Sequence, residues 1–253
     1  MSSIILRTEK LCKSFSNHGI QQHVLKNMDI EIMEEDFTII MGASGSGKST
    51  LLYALSGMDS PTLGKIYFGE EEISKYTNDE LALFRRKHCG FVFQNIYLLE
   101  NMSVFDNILT GALVIQKNSK ELIQKVKSLL KQVGLEENIW SKFPNQLSGG
   151  ESQRVGIVRA IINSPEIVFA DEPTGALNSA SSIDVLDIFS KVNREGQSVV
   201  MVTHDLKTAL RGNRIIYLKD GCIAGEVRLE PFSEKNMTAR RNKLQGFLDE
   251  MGW

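Results

Sequence analysis

The sequence predicts an α/β fold: a largely parallel sheet, an antiparallel β subdomain ahead of it, and an inserted helical subdomain. Three observations carry this. Residues 37–56, FTIIMGASGSGKSTLLYALS, pass from an apolar strand through a glycine-rich loop into a helix with Leu51, Leu52 and Leu55 at i, i+1 and i+4. Residues 166–171 (EIVFAD) and 197–202 (QSVVMV) are further apolar strands, and Ile183, Leu186, Ile188 and Phe189 between them have helical spacing. That order of elements predicts right-handed parallel crossovers. Residues 103–160, by contrast, lack any strong strand pattern.

Taken in order, residues 3–8 and 23–33 read as strands, with turn residues Ser14, Ser16, Asn17 and Gly19 between them. Val24, Met28, Ile30 and Ile32 alternate over much of the second, which suits a half-exposed antiparallel strand. Phe15 is expected in the loop after the first strand, where it is either a buried staple or a face for a purine. After the glycine-loop helix, Ser60, Pro61 and Gly64 mark a turn, and 65–69 a short strand. Asn78 can cap a helix through about Lys87, and residues 90–94 (GFVFQ) form a buried strand ending on Gln94.

Ser103 then caps a helix carrying Val104, Ile108 and Leu113, and Ser119 another carrying Leu122, Val126, Leu129, Leu130 and Val133, closed by Gly134. Residues 213–219 and 222–228, joined at Asp220-Gly221, read as a hairpin. The division expected is a domain over 1–230, with the helical insert at about 97–160, and an amphipathic tail over 231–253. In that tail Leu244, Phe247, Leu248 and Met251 form a narrow apolar stripe, for packing on its own domain or docking a partner.

Composition excludes several classes. The net charge is −2, which argues against a nucleic-acid-binding surface. The three cysteines, Cys12, Cys89 and Cys222, are odd in number and scattered, which argues against a disulfide framework or zinc site and fits a reducing compartment. Residues 1–10 have no signal-peptide pattern, and no apolar run approaches the length of a bilayer span. A soluble chain is expected, with any membrane role supplied by a partner.

The chemistry begins at the loop Gly42, Ala43, Ser44, Gly45, Ser46, Gly47 and the helix start Lys48, Ser49, Thr50. Gly42, Gly45 and Gly47 admit positive φ and let backbone N–H groups converge on an anion, toward which the helix also aims its positive end. Lys48 would charge-pair with β- and γ-phosphates and Ser49 would ligate Mg²⁺. A strand delivers Asp171 to the same sheet edge, where it can serve the Mg²⁺ shell, while the adjacent Glu172 points toward an attacking water. Ser148, Gly149 and Gly150, in LSGGESQR, make a second helix start that another molecule can approach closely. These features define a nucleoside-triphosphate site.

GASGSGKST, Gln94 after FVF, LSGGESQR, VFADEPTGAL and His204 in MVTHD, in that order, resemble an ABC-type ATPase subunit over residues 4–228. The likeness is greatest to the branch with macrolide-exporter, lipoprotein-release and bacitracin-type peptide-resistance ATPases. It implies the ABC-type nucleotide-binding domain, a P-loop NTPase with a RecA-like core sheet. It implies ATP and Mg²⁺ as cofactors, Phe15 on adenine (many relatives have Tyr), Gln94 contacting Mg²⁺ or the attacking water and sensing a membrane partner, and Glu172 as general base. His204 would contact the γ-phosphate and orient Glu172. Ser148, Gly149 and Gly150 would bind the γ-phosphate of ATP on a second copy, in a head-to-tail dimer.

One position departs from the family: Asn178 stands where Asp is usual, which removes a charge but keeps an acceptor. The resemblance implies a chain at the cytoplasmic face of the membrane that energises a separate permease exporting, or protecting against, an antimicrobial peptide, antibiotic or lipid-linked species. The competing readings are a non-transport mechanical clamp and a drug-sensing module that reports to a sensor kinase.

Overall fold

The computed structural model describes residues 3–17 and 20–253. The chain opens with β1 (Ile4–Asn17), β2 (Ile20–Met28) and β3 (Glu31–Met33), antiparallel neighbours, before β4 (Phe37–Gly42) enters a second sheet and runs into helix α1 (Lys48–Leu55). Strands β5 (Leu63–Phe68) and β6 (Glu71–Glu72) return to the antiparallel sheet, and α2 (Asn78–His88) leads to β7 (Cys89–Phe93). The helical stretch comprises α3 (Val104–Leu113), α4 (Lys120–Gln132), α5 (Glu137–Trp140) and α6 (Gly149–Ile161). The chain then forms β8 (Ile167–Asp171), α7 (Ser179–Arg194), β9 (Ser198–Val202), α8 (Leu206–Ala209), β10 (Arg214–Lys219), β11 (Cys222–Arg228) and α9 (Met237–Met251).

The second sheet has the order β11-β10-β4-β9-β8-β7, parallel except for the β10–β11 hairpin at its edge. Its central strands β4, β9 and β8 are almost wholly apolar because both faces are covered. Ile40, Phe169, Val200 and Val202 face α1, α2 and the antiparallel sheet, sharing a core with Leu51, Leu55, Leu81, Leu6 and Met28. Their neighbours Ile39, Met41, Val168, Val199 and Met201 pack on α7 and α9 through Val185, Phe189, Leu244 and Leu248. Helices α3 to α6 enclose a separate core around Val104, Ile108, Val126, Leu130, Trp140 and Val158.

Several local expectations change. The first strand does not stop at residue 8: β1 continues to Asn17, and Phe15 pairs with Gln22 across the hairpin instead of lying in a loop. The segment 23–33 is two strands, broken at residues 29–30, where Asp29 Oδ1 accepts from Lys10 N at 2.5 Å. Helix α2 is capped by Thr77, not Asn78: Thr77 Oγ1 accepts from Glu80 N while Glu80 accepts from Thr77 N, a reciprocal box that the sequence T-N-D-E allows. Ser103 and Ser119 cap α3 and α4 as the spacing predicts.

The tail folds back on its own domain as α9. Arg240, only 3% exposed, donates to the carbonyls of Leu210 and Gly212, which end the short α8 segment.

Candidate active site

The glycine loop leaves the buried end of β4 through Gly42, at φ 150°, where an added Cβ would lie 2.3 Å from Leu218 O. Gly47, at φ 101°, ends the loop, and α1 begins without a side-chain cap or an acidic residue in its first turn. Helices α2, α3, α4 and α6 all begin with a capping side chain. The orphan N–H groups of α1 therefore open on the cleft, which is the arrangement an anion requires.

That cleft, about 580 Å³, is lined by Ser44, Gly45, Gly47, Lys48, Ser49, Thr50, Glu172 and His204, with Gln22 and Val24 from β2 at its rim. Lys48 is 7% exposed, and its Nζ donates to Gly42 O and Ala43 O at 2.9 Å each. Burial lowers its pKa, against the opposing pull of Glu172 and Asp171. Ser46 Oγ is buried and finds no partner among the described residues. A phosphate-bearing ligand fits the cleft: an uncapped helix start and a lysine line it together.

Asp171 sits at the end of β8, and Glu172 leaves the strand in the left-handed region, φ 44°. A non-glycine residue held there costs on the order of 1–3 kcal/mol, met by the bonds that fix the turn. Glu172 N donates to Val202 O at 3.1 Å and Gly175 N to Glu172 O at 3.0 Å. The turn brings Glu172 Oε1 to 3.2 Å from His204 Nδ1, at the exit of β9. Asp205 then caps the next turn, accepting from Thr208 N at 2.7 Å, and so holds the backbone beside His204.

Ser49 Oγ donates to Asp171 Oδ1 at 2.9 Å, and Tyr53 Oη donates to Asp171 Oδ2 at 2.6 Å. Burial, and then the Asp171 contact, raise the Tyr53 hydroxyl well above the ordinary phenol range, so it is a donor at neutral pH. Mg²⁺ fits this donor set. It takes hard oxygen ligands and is held by one or two protein groups together with substrate phosphates, which suits a hydroxyl and a carboxylate side by side. The described residues hold no cluster of three or more His, Cys, Asp or Glu that would make a closed protein cage.

The other candidates lie apart. Gln94 follows β7, and a Cβ on Gly175 would come within 2.9 Å of its Nε2, so it rests on the loop after Glu172. Phe15 is 45% exposed on the outer part of β1, beyond the cleft lining, with Lys13 Nζ 5.0 Å from its ring centre. Ser148, Gly149 and Gly150 start α6 away from the glycine loop of the same chain. Ser148 forms a capping box with Glu151, and the two glycines face Leu177 and Ser181. Asn178 caps α7, accepting from Ser181 N at 2.9 Å, a bond the usual Asp would also make.

Sequence reasoning missed three residues here. Tyr53 is one turn after Ser49 on the same face of α1, a spacing that would have flagged it. Gln153 and Arg159 of α6 are the others: Gln153 Nε2 donates to Phe93 O at 3.1 Å, and Arg159 to Tyr97 O at 2.7 Å and to Ile96 O. They tie the Gln94 loop to α6, a tertiary contact that no local pattern announces.

Fold and cleft together define a nucleotide-binding P-loop ATPase cassette. The ABC transporter family pattern matches residues 25–175, and the chain belongs to that family. It is 43% identical to the lipoprotein-releasing system ATP-binding protein LolD of Aquifex aeolicus, over 88% of this chain and 97% of that protein. It is 40% identical to the bacitracin export ATP-binding protein BceA of Halalkalibacterium halodurans, over 96% of both.

The macrolide export ATP-binding/permease protein MacB of Campylobacter jejuni is 43% identical over 90% of this chain, which spans only 35% of that relative's length. Among solved structures, a dimeric ATP-binding cassette in a post-hydrolysis state bound to ADP and Pi superimposes with a TM-score of 0.83. It is 38% identical, over 90% of this chain and all of that one. The chain is an ATP-binding ABC ATPase.

Proposed function

We propose that the chain is the ATP-hydrolysing motor of a membrane export or resistance system, working as a head-to-tail pair. The observation that carries the reading is the Glu172–His204 pair, 3.2 Å apart in one cleft with Lys48 and Ser49. Glu172 takes a proton from the attacking water, and His204 holds the Glu172 carboxylate through Nδ1 and leaves its other ring nitrogen for the γ-phosphate. Lys48 exchanges its two carbonyl partners for phosphate oxygens. Ser49 and Asp171 would hold Mg²⁺, with Gln94, which rests on the loop after Glu172, as a further candidate ligand. The chemistry supplied by that bound ion is neutralisation of the charge on the β- and γ-phosphates.

Phe15 stacks on adenine at the open side of the cleft. Ser148 and Gly149, exposed at the start of α6, and Gly150 beneath them complete the site of a second copy, so ATP stabilises the paired state by binding between two surfaces. The fit to a dimeric cassette supports this arrangement.

A membrane permease is the partner favoured by a groove of about 570 Å³ beside Gln94, where Met58, Phe91, Phe93 and Val114 mix with Arg86 and Arg159. No helix among the described residues is long and apolar enough to cross a membrane. Relatives named for bacitracin export, lipoprotein release and macrolide export support an antimicrobial peptide, antibiotic or lipid-linked substrate, and the work is placed at the cytoplasmic face, where ATP is supplied. Tagged Glu172→Gln protein, purified with ATP from detergent-solubilised membranes, tests the reading. Co-purification of a polytopic protein at matched stoichiometry is expected; an ATP-bound dimer with no membrane partner would favour the mechanical clamp.

A further inference from the structure

We infer that Tyr53 is a positioning residue for the metal shell: its hydroxyl holds one oxygen of Asp171 so that the other stays beside Ser49 Oγ. The inference rests on the proposed Mg²⁺ role of Ser49 and Asp171. Asp171 is the last residue of β8 and half-buried, and a carboxylate there can swing about its side-chain torsions unless both oxygens are held. Both are held, by groups on one helix. Ser49 and Tyr53 are one turn apart on α1, so the element that presents the phosphate loop also sets the carboxylate, with bonds of 2.9 Å to Oδ1 and 2.6 Å to Oδ2.

The Tyr53 ring is itself fixed, packed against the core that includes Leu51, Leu52 and Phe169. A donor on Oδ2 keeps the carboxylate aimed, and it leaves Oδ1 one competitor to release, Ser49. Loss of such an outer contact typically weakens metal binding about 10–100-fold.

The test is a titration of Mn²⁺, read by electron paramagnetic resonance, onto the full chain bound to ADP. It is run for the wild type, Tyr53→Phe, Asp171→Asn and the double variant. ADP affinity in EDTA and the melting temperature are measured alongside. Tyr53→Phe keeps the ring and removes only the hydroxyl. Its Mn²⁺ midpoint is expected to rise about tenfold, with ADP affinity in EDTA and melting unchanged.

In the double variant the Phe substitution should add nothing to Asp171→Asn, since its effect runs through that carboxylate. A midpoint within twofold of wild type in Tyr53→Phe, with a clear shift in Asp171→Asn, would overturn the role of Tyr53 and leave Asp171 in the shell. No shift in either variant would overturn the metal assignment as well. Equal shifts from Tyr53→Phe with and without Asp171→Asn would also overturn the proposal, because Tyr53 would then act on the metal by another route.

Discussion

The two sheets treat their side chains in opposite ways. In β4 and β9 every residue is buried, and in β8 all but Asp171 are. In β2 the burial is intermittent, and the outer end of β1 presents Phe15 to solvent. The groups assigned to phosphate and water leave the buried strands β4, β8 and β9, so a close-packed scaffold sets their positions. Phe15, assigned to adenine, sits on the outer hairpin of β1 and β2 and is 45% exposed, where a ring can shift. The division matches what the chemistry needs. In-line attack on phosphorus is intolerant of displacement, whereas stacking on a purine face tolerates it.

The sharpest way to break this comparison is at Glu172. Glu172→Gln is expected to slow ATP hydrolysis by about 10²–10⁴ while ATP stays bound, as measured by phosphate release and nucleotide retention. Turnover at the wild-type rate would remove Glu172 from the mechanism. Lys48→Ala is expected to weaken ATP binding by about 10–100-fold, the equivalent of one charge-assisted hydrogen bond, in a fluorescent-nucleotide titration.

Gly42→Ala tests the scaffold itself. Its Cβ would collide with the Leu218 carbonyl at a φ that L-residues avoid, so chemical denaturation should report a loss of about 2 kcal/mol. On the antiparallel side the effect should be smaller. Phe15→Ala is expected to cost about 1 kcal/mol of ATP affinity and Phe15→Tyr almost nothing, by calorimetry. The least effect is expected at Asn178→Asp, a swap between equally good helix caps, with a change in stability below about 0.5 kcal/mol.

The parts read correctly from sequence are those where one local rule operates. The strand, loop and helix at 37–56 and the capped helices at Ser103 and Ser119 need only apolar period, glycine conformations and a capping hydroxyl. The parts misread are those where pairing overrides local signals. Ser14, Ser16 and Asn17 look like turn residues, yet β1 runs through them because β2 supplies a ladder partner. Asn78 is an acceptable cap, but Thr77 wins because only it has a glutamate three residues later to return the bond. The apolar stripe of the tail left its destination open, and the sheet face around Ile39 and Met41, which α9 helps to bury, decided it.

By itself the sequence determined the class of chemistry, because a phosphate loop, a carboxylate pair closing a strand and a second glycine-flanked helix start are each readable within about ten residues. It also determined the sheet that carries them, since strands buried on both faces are written as continuous apolar runs. Only the tertiary structure decided what those groups do to one another. The contact of His204 with Glu172, the two donors on Asp171 and the packing of Gly149 and Gly150 against Leu177 and Ser181 join residues tens of positions apart. Their distances follow from strand order and packing, and those are properties of the whole chain, with no signature in any one stretch of it.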